Sequence, residues 1–487
     1  MLTPDHQGGV GPVSGERSFR LDSSYRRPGA GTVIIGGSPL RLFRLTAAGV
    51  AVAAAIERGT VLPAHHTRLT TRLVAAGAIH PVLAAESIDP SRLTIVIPCR
   101  DELPRYATAR CRVVVVDDAS TLPLHLARVA RAQDDIVIRL DRNVGPGGAR
   151  NAGLAAARTE FVAFVDSDVF IGDESLLHLA AHLSDPAVAL VAPRIRADPG
   201  DGTLARYEQR HSPLDMGGEA ARITPATRVS YVPAAVVVCR TDAVRAIGGF
   251  DADLRYGEDV DLVWRLGGAG WQCRYEPEVV ALHATRRTLR EWAMQRFHYG
   301  TAAAALARRH AGAVAPLRMS GWSAATWLPV ATGIPLLGIA IGAGSAALLT
   351  RKLDGVPKRE ALRIAGIGNL YAGRLIASAL TRAWWPLLAV LALVSPRARR
   401  VLAAAVLIPA FIDWHSDRPP IDLLRSLGLR VLDDVAYGTG VWAGALRQRH
   451  AGALLPSFVS WPGRGDTPGH GPGAATTKPS ATTVAGR

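Results

Sequence analysis

The chain has 487 residues, more than the roughly 250 to 300 at which a single hydrophobic core stops growing, so more than one structural unit is expected. Its 56 lysines and arginines outnumber its 41 aspartates and glutamates, which indicates an anionic partner: nucleic acid, a phosphorylated ligand or an acidic membrane surface. The four cysteines form no CxxC pair, which argues against a disulfide framework and a cysteine-rich zinc site.

Residues 1–30 are rich in glycine, serine, arginine and proline and lack the apolar run of a signal peptide. This composition predicts a disordered segment that stays in the cytoplasm. The stretch GTVIIGGSPLRLFRL, residues 31–45, then predicts a strand and a turn, and TAAGVAVAAAIERG predicts a helix. We therefore expect a small α+β module over residues 31–90.

Residues 91–310 have the pattern of an α/β domain. TIVIP (94–98), RVVVVDD (112–118), DIVIRL (135–140) and FVAFVD (161–166) are short apolar runs that alternate with helical stretches. This alternation is typical of a parallel sheet covered on both faces. Ligands of such sheets bind at the carboxyl ends of the strands. The expected fold class is α/β, with a Rossmann-like, mainly parallel sheet.

The C-terminal part of the chain is largely apolar. Residues 319–350 carry no ionisable side chain and exceed the about 20 residues of a bilayer crossing, but two prolines and five glycines interrupt them. A buried or re-entrant helical hairpin is therefore the alternative to a membrane span. We expect an apolar helical, membrane-associated region over 311–415, a helical segment over 416–463 and a disordered tail over 464–487. These segments predict a location at the cytoplasmic face of the cell membrane.

Two acids, Asp166 and Asp168, flank Ser167 at the end of the run FVAFVD. A turn there aims both carboxylates at one hard cation, and Mg²⁺ or Mn²⁺ held in this way also contacts phosphate oxygens. A solvated turn is the alternative. His283 ends a later strand-like run and is a candidate third metal ligand, although a lone histidine more often has a structural role.

Three further motifs carry polar groups to the predicted strand ends or helix starts. DDAS (117–120) can contact a base or ribose, or cap the helix after it. RNVGPGGARNAGLAAAR (142–158) is a glycine-rich turn whose backbone can approach a diphosphate, with Arg150 as a charged donor, unless it is an ordinary turn. In YGEDVDLVWRL, Glu258 and Asp259 begin a helix, where acids are favoured anyway, and one of them can act as a general base.

In this order, IVIPCRDE, VVVVDDAS, the glycine-rich turn, FVAFVDSDV, GGFD and GEDVDLVWRL resemble glycosyltransferase family 2 and its GT-A fold over about residues 91–300. The resemblance implies a uracil contact at Asp118. It assigns nucleotide-sugar binding to Pro98, Arg100, Asp117, Asp118, Gly147, Arg150, Asn151, Asp166 and Ser167. It assigns the metal, Mg²⁺ or Mn²⁺, to Asp166, Asp168 and His283, and catalysis to Asp259 as the base, with Glu258 beside it.

Further stretches, inside and outside that region, extend the resemblance to the mycofactocin-system glycosyltransferases of actinobacteria. They are GGSPLRLFRL, YVPAAVVVCR, HATRRTLREW and DDVAYGTGVWAGALRQR. This resemblance implies inverting transfer of glucose from UDP-glucose to a peptide-derived redox cofactor, which builds a short β-1,4-glucan. It also likens the N-terminal module to peptide-binding modules. QRFHYG stands where processive synthases of family 2 carry QxxRW, so long-chain processive synthesis is not expected.

Other functions are compatible with parts of this pattern. A family 2 transferase that adds rhamnose or galactofuranose to a lipid-linked cell-wall precursor would suit the apolar C-terminal half. A non-catalytic, membrane-associated binding protein would not need the DSD and ED motifs. Nucleic acid is not an expected partner, because no aromatic-interleaved basic motif or helix-turn-helix pattern appears. Tyr207, Trp264 and Trp271 are all candidates to stack on a sugar.

Overall fold

A computed structural model of the chain describes residues 16–63, 68–83, 88–106, 110–121, 135–353, 355–417, 419 and 421–460. The first described residues form a small α+β module. Its elements are β1 (Glu16–Leu21), β2 (Val33–Gly36), β3 (Arg41–Arg44), α1 (Ala47–Glu57), β4 (Leu62–Pro63), α2 (Arg68–Ala75) and β5 (Ile79–Val82). Strands β4, β1 and β5 form one antiparallel sheet, and β2 and β3 form a hairpin.

Strand β1 corrects the prediction that residues 1–30 are disordered. Ser18 to Leu21 pair with β5, and the side chain of Phe19 is buried in the module's core beside Ile34 and Leu73. The apolar residues of β1 are too few to predict a strand from local sequence, because its stability comes from the pairing with β5. Residues 1–15 and the predicted tail over 464–487 lie outside the described residues.

The central domain is built on a nine-stranded sheet. Its strands are β6 (Leu93–Cys99), β7 (Arg112–Asp117), β8 (Ile136–Arg139), β9 (Phe161–Val165), β10 (Val169–Phe170), β11 (Val188–Ala197), β12 (Ala221–Arg222), β13 (Val236–Arg240) and β14 (Gln272–His283). Its helices are α3 (Gly145–Ala156), α4 (Asp173–Ala181), α5 (Thr203–His211), α6 (Thr241–Ala246) and α7 (Glu258–Gly268). The strand order is β10-β14-β11-β13-β9-β6-β7-β8, and β12 pairs with β14.

Strands β9, β6, β7 and β8 are parallel neighbours, as are β11 and β14, whereas β13 runs antiparallel between the two sets. The apolar runs of β6, β7 and β9 are buried because helices cover both faces of the sheet, and β8 is half-buried because it lies at the edge. The predicted α/β class with a mainly parallel, GT-A-like sheet is confirmed.

The C-terminal region is helical. Its elements are α8 (Leu289–Arg309), β15 (Arg318–Ser320), α9 (Gly321–Thr332), α10 (Pro335–Lys352), α11 (Lys358–Thr381), α12 (Trp385–Val394), α13 (Pro396–Asp417), α14 (Leu423–Gln448) and β16 (Ser457–Ser460). The apolar stretch over residues 319–350 forms a hairpin of α9 and α10, broken at Gly333 with φ 94°. A Cβ atom added to Gly338 would lie 2.5 Å from the carbonyl oxygen of Thr326, so the two helices touch through their backbones.

In the described part of the chain, no single helix has both the length and the apolar composition of a membrane span. Helices α11 and α12 are bent by 83° at the break between them. Taken together, these two helices have the length and the apolar composition of a membrane span.

Helices α8 and α14 pack at backbone distance. A Cβ atom at Gly300 of α8 would lie 2.1 Å from the carbonyl oxygen of Tyr437, and one at Gly440 of α14 would lie 2.0 Å from that of Phe297. Side chains larger than hydrogen are therefore excluded from this contact. The contact attaches α14 firmly to the helix that follows the central domain.

Candidate active site

The carboxyl ends of β6, β7 and β9 open into one cavity of about 1460 Å³. Because these strands are parallel, the residues that follow them meet at one edge of the sheet. Side chains of α8, α11 and α14 line the other side of the cavity. The predicted site residues that line it are Pro98, Arg100, Asp118, Arg150, Asp166, Ser167, Asp168, Glu258, Asp259 and His283.

Asp118 anchors the glycine-rich turn at the start of α3. Its carboxylate accepts hydrogen bonds from the backbone N–H of Val144 at 2.7 Å and of Gly145 at 3.0 Å, and from Nδ2 of Asn143 at 3.0 Å. The side chain is buried at the wall of the cavity. Its position therefore fixes the backbone that a nucleotide would meet there.

Three predicted binding residues, Asp117, Gly147 and Asn151, do not line the cavity, and their assignment to nucleotide-sugar binding stays a prediction. Asp117 is buried, and its carboxylate pairs with Arg139 at 2.5 Å. The amide of Asn151 donates to the carbonyl of Phe250 at 2.7 Å and accepts from its N–H at 2.8 Å. A Cβ atom at Gly147 would lie 3.4 Å from Cβ of Phe250, so this glycine permits close packing. Buried polar groups need such partners, which here are protein groups.

Arg150 connects the DSD turn to the start of α7. Its buried guanidinium donates to Glu258 Oε1 at 2.8 Å and to Asp166 Oδ1 at 2.6 Å, and its Cζ lies 5.2 Å from the ring centroid of Phe250. Burial alone would lower the pKa of Arg150, but the two carboxylates more than offset this and hold it above its usual range. The residue is therefore a permanent positive charge at the centre of the site.

Two of the three predicted metal ligands lie together. Oδ2 of Asp168 is 3.4 Å from Nε2 of His283, because β10 pairs with the end of β14. Oδ1 of Asp166 accepts from Arg150, and across the described residues no three His, Cys, Asp or Glu side chains are grouped as a complete metal site. Burial raises the pKa of Asp168, although the His283 charge opposes this. A carboxylate and an imidazole fit a divalent cation that completes its shell with phosphate and water oxygens.

The two acids at the start of α7 have different environments. Burial and, next, the charge of Asp259 raise the pKa of Glu258 to about 7, although its partner Arg150 lowers it. Asp259 has no cationic partner among the residues described: it accepts from the N–H of Val260 at 2.8 Å and from that of Ala234 at 3.3 Å. Burial raises the pKa of Asp259, which makes its carboxylate a better proton acceptor.

Ser167, Arg100 and Pro98 lie at the cavity wall, and their side chains make few interactions with other protein groups. The hydroxyl of Ser167 donates to Glu102 Oε1 at 3.2 Å, and Nε of Arg100 is 3.5 Å from Oδ2 of Asp101. The Arg100 side chain is exposed. These residues are therefore accessible to a ligand in the cavity.

Of the three aromatic candidates, only Trp264 lines the cavity. Its Nε1 donates to the carbonyl of Ser230 at 2.7 Å. Tyr207 is buried against Trp292, with ring centroids 5.9 Å apart, and Trp271 lies outside the cavity lining. Trp264 is therefore the candidate that a sugar could contact.

Sequence reasoning missed the part of the cavity wall formed by the C-terminal helices. The lining residues there include Ser378, Ala379, Arg382, Ala383, Tyr437 and Val441. No local pattern marks them as site residues. The one available signal was that Tyr437 belongs to DDVAYGTGVWAGALRQR, a stretch that carries the family resemblance.

The fold and the site define a glycosyltransferase, and residues 96–248 match the glycosyl transferase family 2 model. A pre-mycofactocin glycosyltransferase of Mycobacterium tuberculosis is 39% identical over 464 residues, which are 91% of this chain and 97% of that protein. The chain belongs to glycosyltransferase family 2, in the mycofactocin-system branch that this relative represents. The predicted family and enzyme class are confirmed.

Other relatives match less of the chain. The succinoglycan biosynthesis protein ExoO of Rhizobium meliloti is 30% identical over 189 residues, which are 36% of this chain and 52% of that protein. Among solved structures, a mannosyltransferase from Pyrobaculum calidifontis in complex with GDP-Man and Mn²⁺ shares 18% identity and covers 73% of this chain and 89% of its own, with a TM-score of 0.40.

Proposed function

We propose that the enzyme transfers glucose from UDP-glucose to pre-mycofactocin and builds a short β-1,4-glucan chain. The observation that carries the proposal is the cavity in which the acids of the DSD turn and the carboxylate of Asp259, which has no cationic partner in the described part of the chain, open onto the same space. The name of the relative that matches 91% of the chain supports the acceptor.

In the proposed reaction, Asp259 takes the proton of an acceptor hydroxyl. The acceptor oxygen bonds to the anomeric carbon of the sugar as the bond from that carbon to the diphosphate oxygen breaks, and the electron pair leaves with the diphosphate. Arg150 holds Glu258 and Asp166 in place, so Asp259 is the carboxylate of the pair that is available as a base. Attack from the side opposite the diphosphate inverts the anomeric configuration.

We propose that Asp168 and His283, with Asp166, hold a divalent cation, Mg²⁺ or Mn²⁺. When bound, such a cation supplies positive charge to the departing diphosphate. Arg286, whose Nη2 lies 3.6 Å from Oδ2 of Asp168, adds a fixed positive charge on the same side of the cavity.

A donor and acceptor screen tests this function directly. Purified protein is incubated with pre-mycofactocin and each of several nucleotide sugars, with and without EDTA, and the products are analysed by mass spectrometry. We expect successive additions of hexose from UDP-glucose that cease with EDTA. Transfer that persists in excess EDTA would contradict the metal requirement, and transfer from another donor would replace UDP-glucose.

The second candidate function is transfer of rhamnose or galactofuranose to a lipid-linked precursor. The observation that favours it is the exposed apolar surface of the C-terminal helices, where a lipid chain could lie. The same screen distinguishes the two functions when a polyprenyl-phosphate acceptor is added: sugar transferred to that acceptor and not to pre-mycofactocin would select the second.

We also propose that the C-terminal helices attach the enzyme to the cytoplasmic face of the membrane. Large apolar side chains point outward on several of them, including Leu336 of α10, 78% exposed, and Leu393 and Val394 of α12, 79% and 80% exposed. Exposed apolar surface of this extent marks an interaction surface. Arg397, Arg399 and Arg400 follow immediately, and their charge is complementary to anionic lipid headgroups.

The double variant Leu393→Glu/Val394→Glu is expected to bind vesicles of phosphatidylcholine and phosphatidylglycerol at least about tenfold more weakly, because burying each apolar side chain contributes about 1.5 to 3 kcal/mol. Flotation of the full chain with vesicles measures this. Val82→Glu, at an exposed site on β5, is the matched control and should float like the unmodified protein. Equal flotation of the unmodified protein, the double variant and the control would mean that α12 does not contact the membrane.

A further inference from the structure

One end of the cavity contains three tyrosines that no catalytic role yet explains. Tyr231 precedes β13, Tyr299 lies on α8 and Tyr437 lies on α14, and all three are half-buried in the cavity lining. None of their hydroxyl groups has a hydrogen-bond partner among the described residues. Three such hydroxyls in the lining of one cavity are available as hydrogen-bond partners for a ligand with polar groups.

Arg382 completes this group of side chains from the end of α11. Its Cζ lies 4.3 Å from the ring centroid of Tyr437, and its Nη1 lies 3.5 Å from Oδ1 of Asp434. Asp434 is itself fixed by the hydroxyl of Thr381 at 2.7 Å. The guanidinium is thus held in one orientation, with one face covered by the ring of Tyr437 and its charge balanced by one carboxylate.

The tyrosines lie close to the proposed base. Tyr231 belongs to the same short loop as Ala234, whose N–H donates to Oδ2 of Asp259. Burial, then the charges of Tyr437 and Asp259, raise the pKa of Tyr231 to about 12. The backbone contact between Gly300 and Tyr437 fixes α14 next to Tyr299.

The charges at this end of the cavity indicate a neutral ligand. The two cations whose charges act on Tyr231 are both paired: Arg382 with Asp434, and the buried Arg296 with Glu208 and Asp433. A lipid diphosphate would need several free cations, whereas Ala379, Ala383 and Val441 add apolar surface instead. A flat ring that carries hydroxyl groups fits the combination of phenol rings, hydroxyls and small apolar side chains.

We propose that Tyr231, Tyr299, Tyr437 and Arg382 form the acceptor subsite, and that this subsite takes a flat, uncharged ring whose reacting hydroxyl faces Asp259. This inference rests on the proposed glycosyl transfer. In this arrangement the C-terminal helices select the acceptor, and the central domain binds the donor.

The inference is tested by acceptor binding without turnover. The full chain with UDP and Mn²⁺ is titrated in a calorimeter with two probes, pre-mycofactocin and phenyl β-D-glucoside. Tyr231→Phe, Tyr299→Phe and Tyr437→Phe each remove one hydroxyl, and each is expected to weaken probe binding about threefold to tenfold, the range for one hydrogen bond. Arg382→Met should weaken it at least as much. The affinity for UDP should be unchanged, which a general folding defect would not allow.

Tyr371→Phe, on the exposed surface of α11, is the matched control and should bind both probes like the unmodified protein. The inference is overturned if the unmodified protein binds neither probe. It is also overturned if all four variants bind the probes with unchanged affinity. Probe binding that depends on the tyrosines, together with no hexose transfer in the mass-spectrometric screen, would instead reject the proposed function and leave the ring-binding subsite in place.

Discussion

Replacement of Asp259 by asparagine is expected to lower kcat by about 10²- to 10⁴-fold, the usual contribution of a general base. Asparagine has the same shape, and its oxygen can still accept from the backbone N–H of Val260, so the start of α7 should remain intact. It cannot take a proton from the acceptor. Affinity for UDP with Mg²⁺ is therefore expected to stay the same while turnover is lost.

The measurement pairs initial rates of sugar transfer with calorimetric titration of UDP. Asp253→Asn, at an exposed aspartate in the loop before the same helix, is the matched control and should keep full activity. If Asp259→Asn retains turnover, Glu258 and not Asp259 is the general base. In that case Glu258→Gln should be the inactive variant, although its carboxyl group is already engaged by Arg150.

Local sequence was sufficient to locate the strand ends and the acids on them. The run FVAFV is buried along its whole length, and the chain emerges from the sheet at Asp166, so the change from apolar to acidic residues marks the sheet edge itself. The same reasoning predicted β6 and β7 and the residues after them. A buried parallel strand leaves this signal because both of its faces must be apolar.

Partners distant in the chain could not be predicted in this way. Asn151 lies in the glycine-rich turn, as a ligand-binding residue would, but its amide is used by the backbone of Phe250, 99 residues later. Tyr437 reaches the cavity only because glycines allow α14 to touch α8. The partners of Asn151 and the position of Tyr437 both depend on tertiary packing. The type of residue in a local sequence motif does not predict such packing.

Replacement of Arg150 by methionine is expected to destabilise the folded chain by about 3 kcal/mol or more, because it leaves the buried Glu258 and the nearby Asp166 without their cation. Thermal unfolding followed by circular dichroism should show a lower Tm. Arg158→Met, at an exposed arginine just after the same helix, is the matched control and should leave the Tm unchanged. Adding Glu258→Gln should restore part of the loss, since it removes one uncompensated carboxylate.

The pH dependence separates this electrostatic cause from simple loss of packing. Arg150 lowers the pKa of Glu258, so its removal raises that pKa further above about 7. The folded variant then keeps a proton that the unfolded chain releases above about pH 4.3. A group whose pKa is raised by folding stabilises the folded state at low pH, and this stabilisation is lost as pH rises through the folded pKa. The Tm deficit of Arg150→Met should therefore be smaller at pH 5 than at pH 8. A deficit that does not change with pH would mean that Arg150 acts through packing alone, on Phe250 and its neighbours.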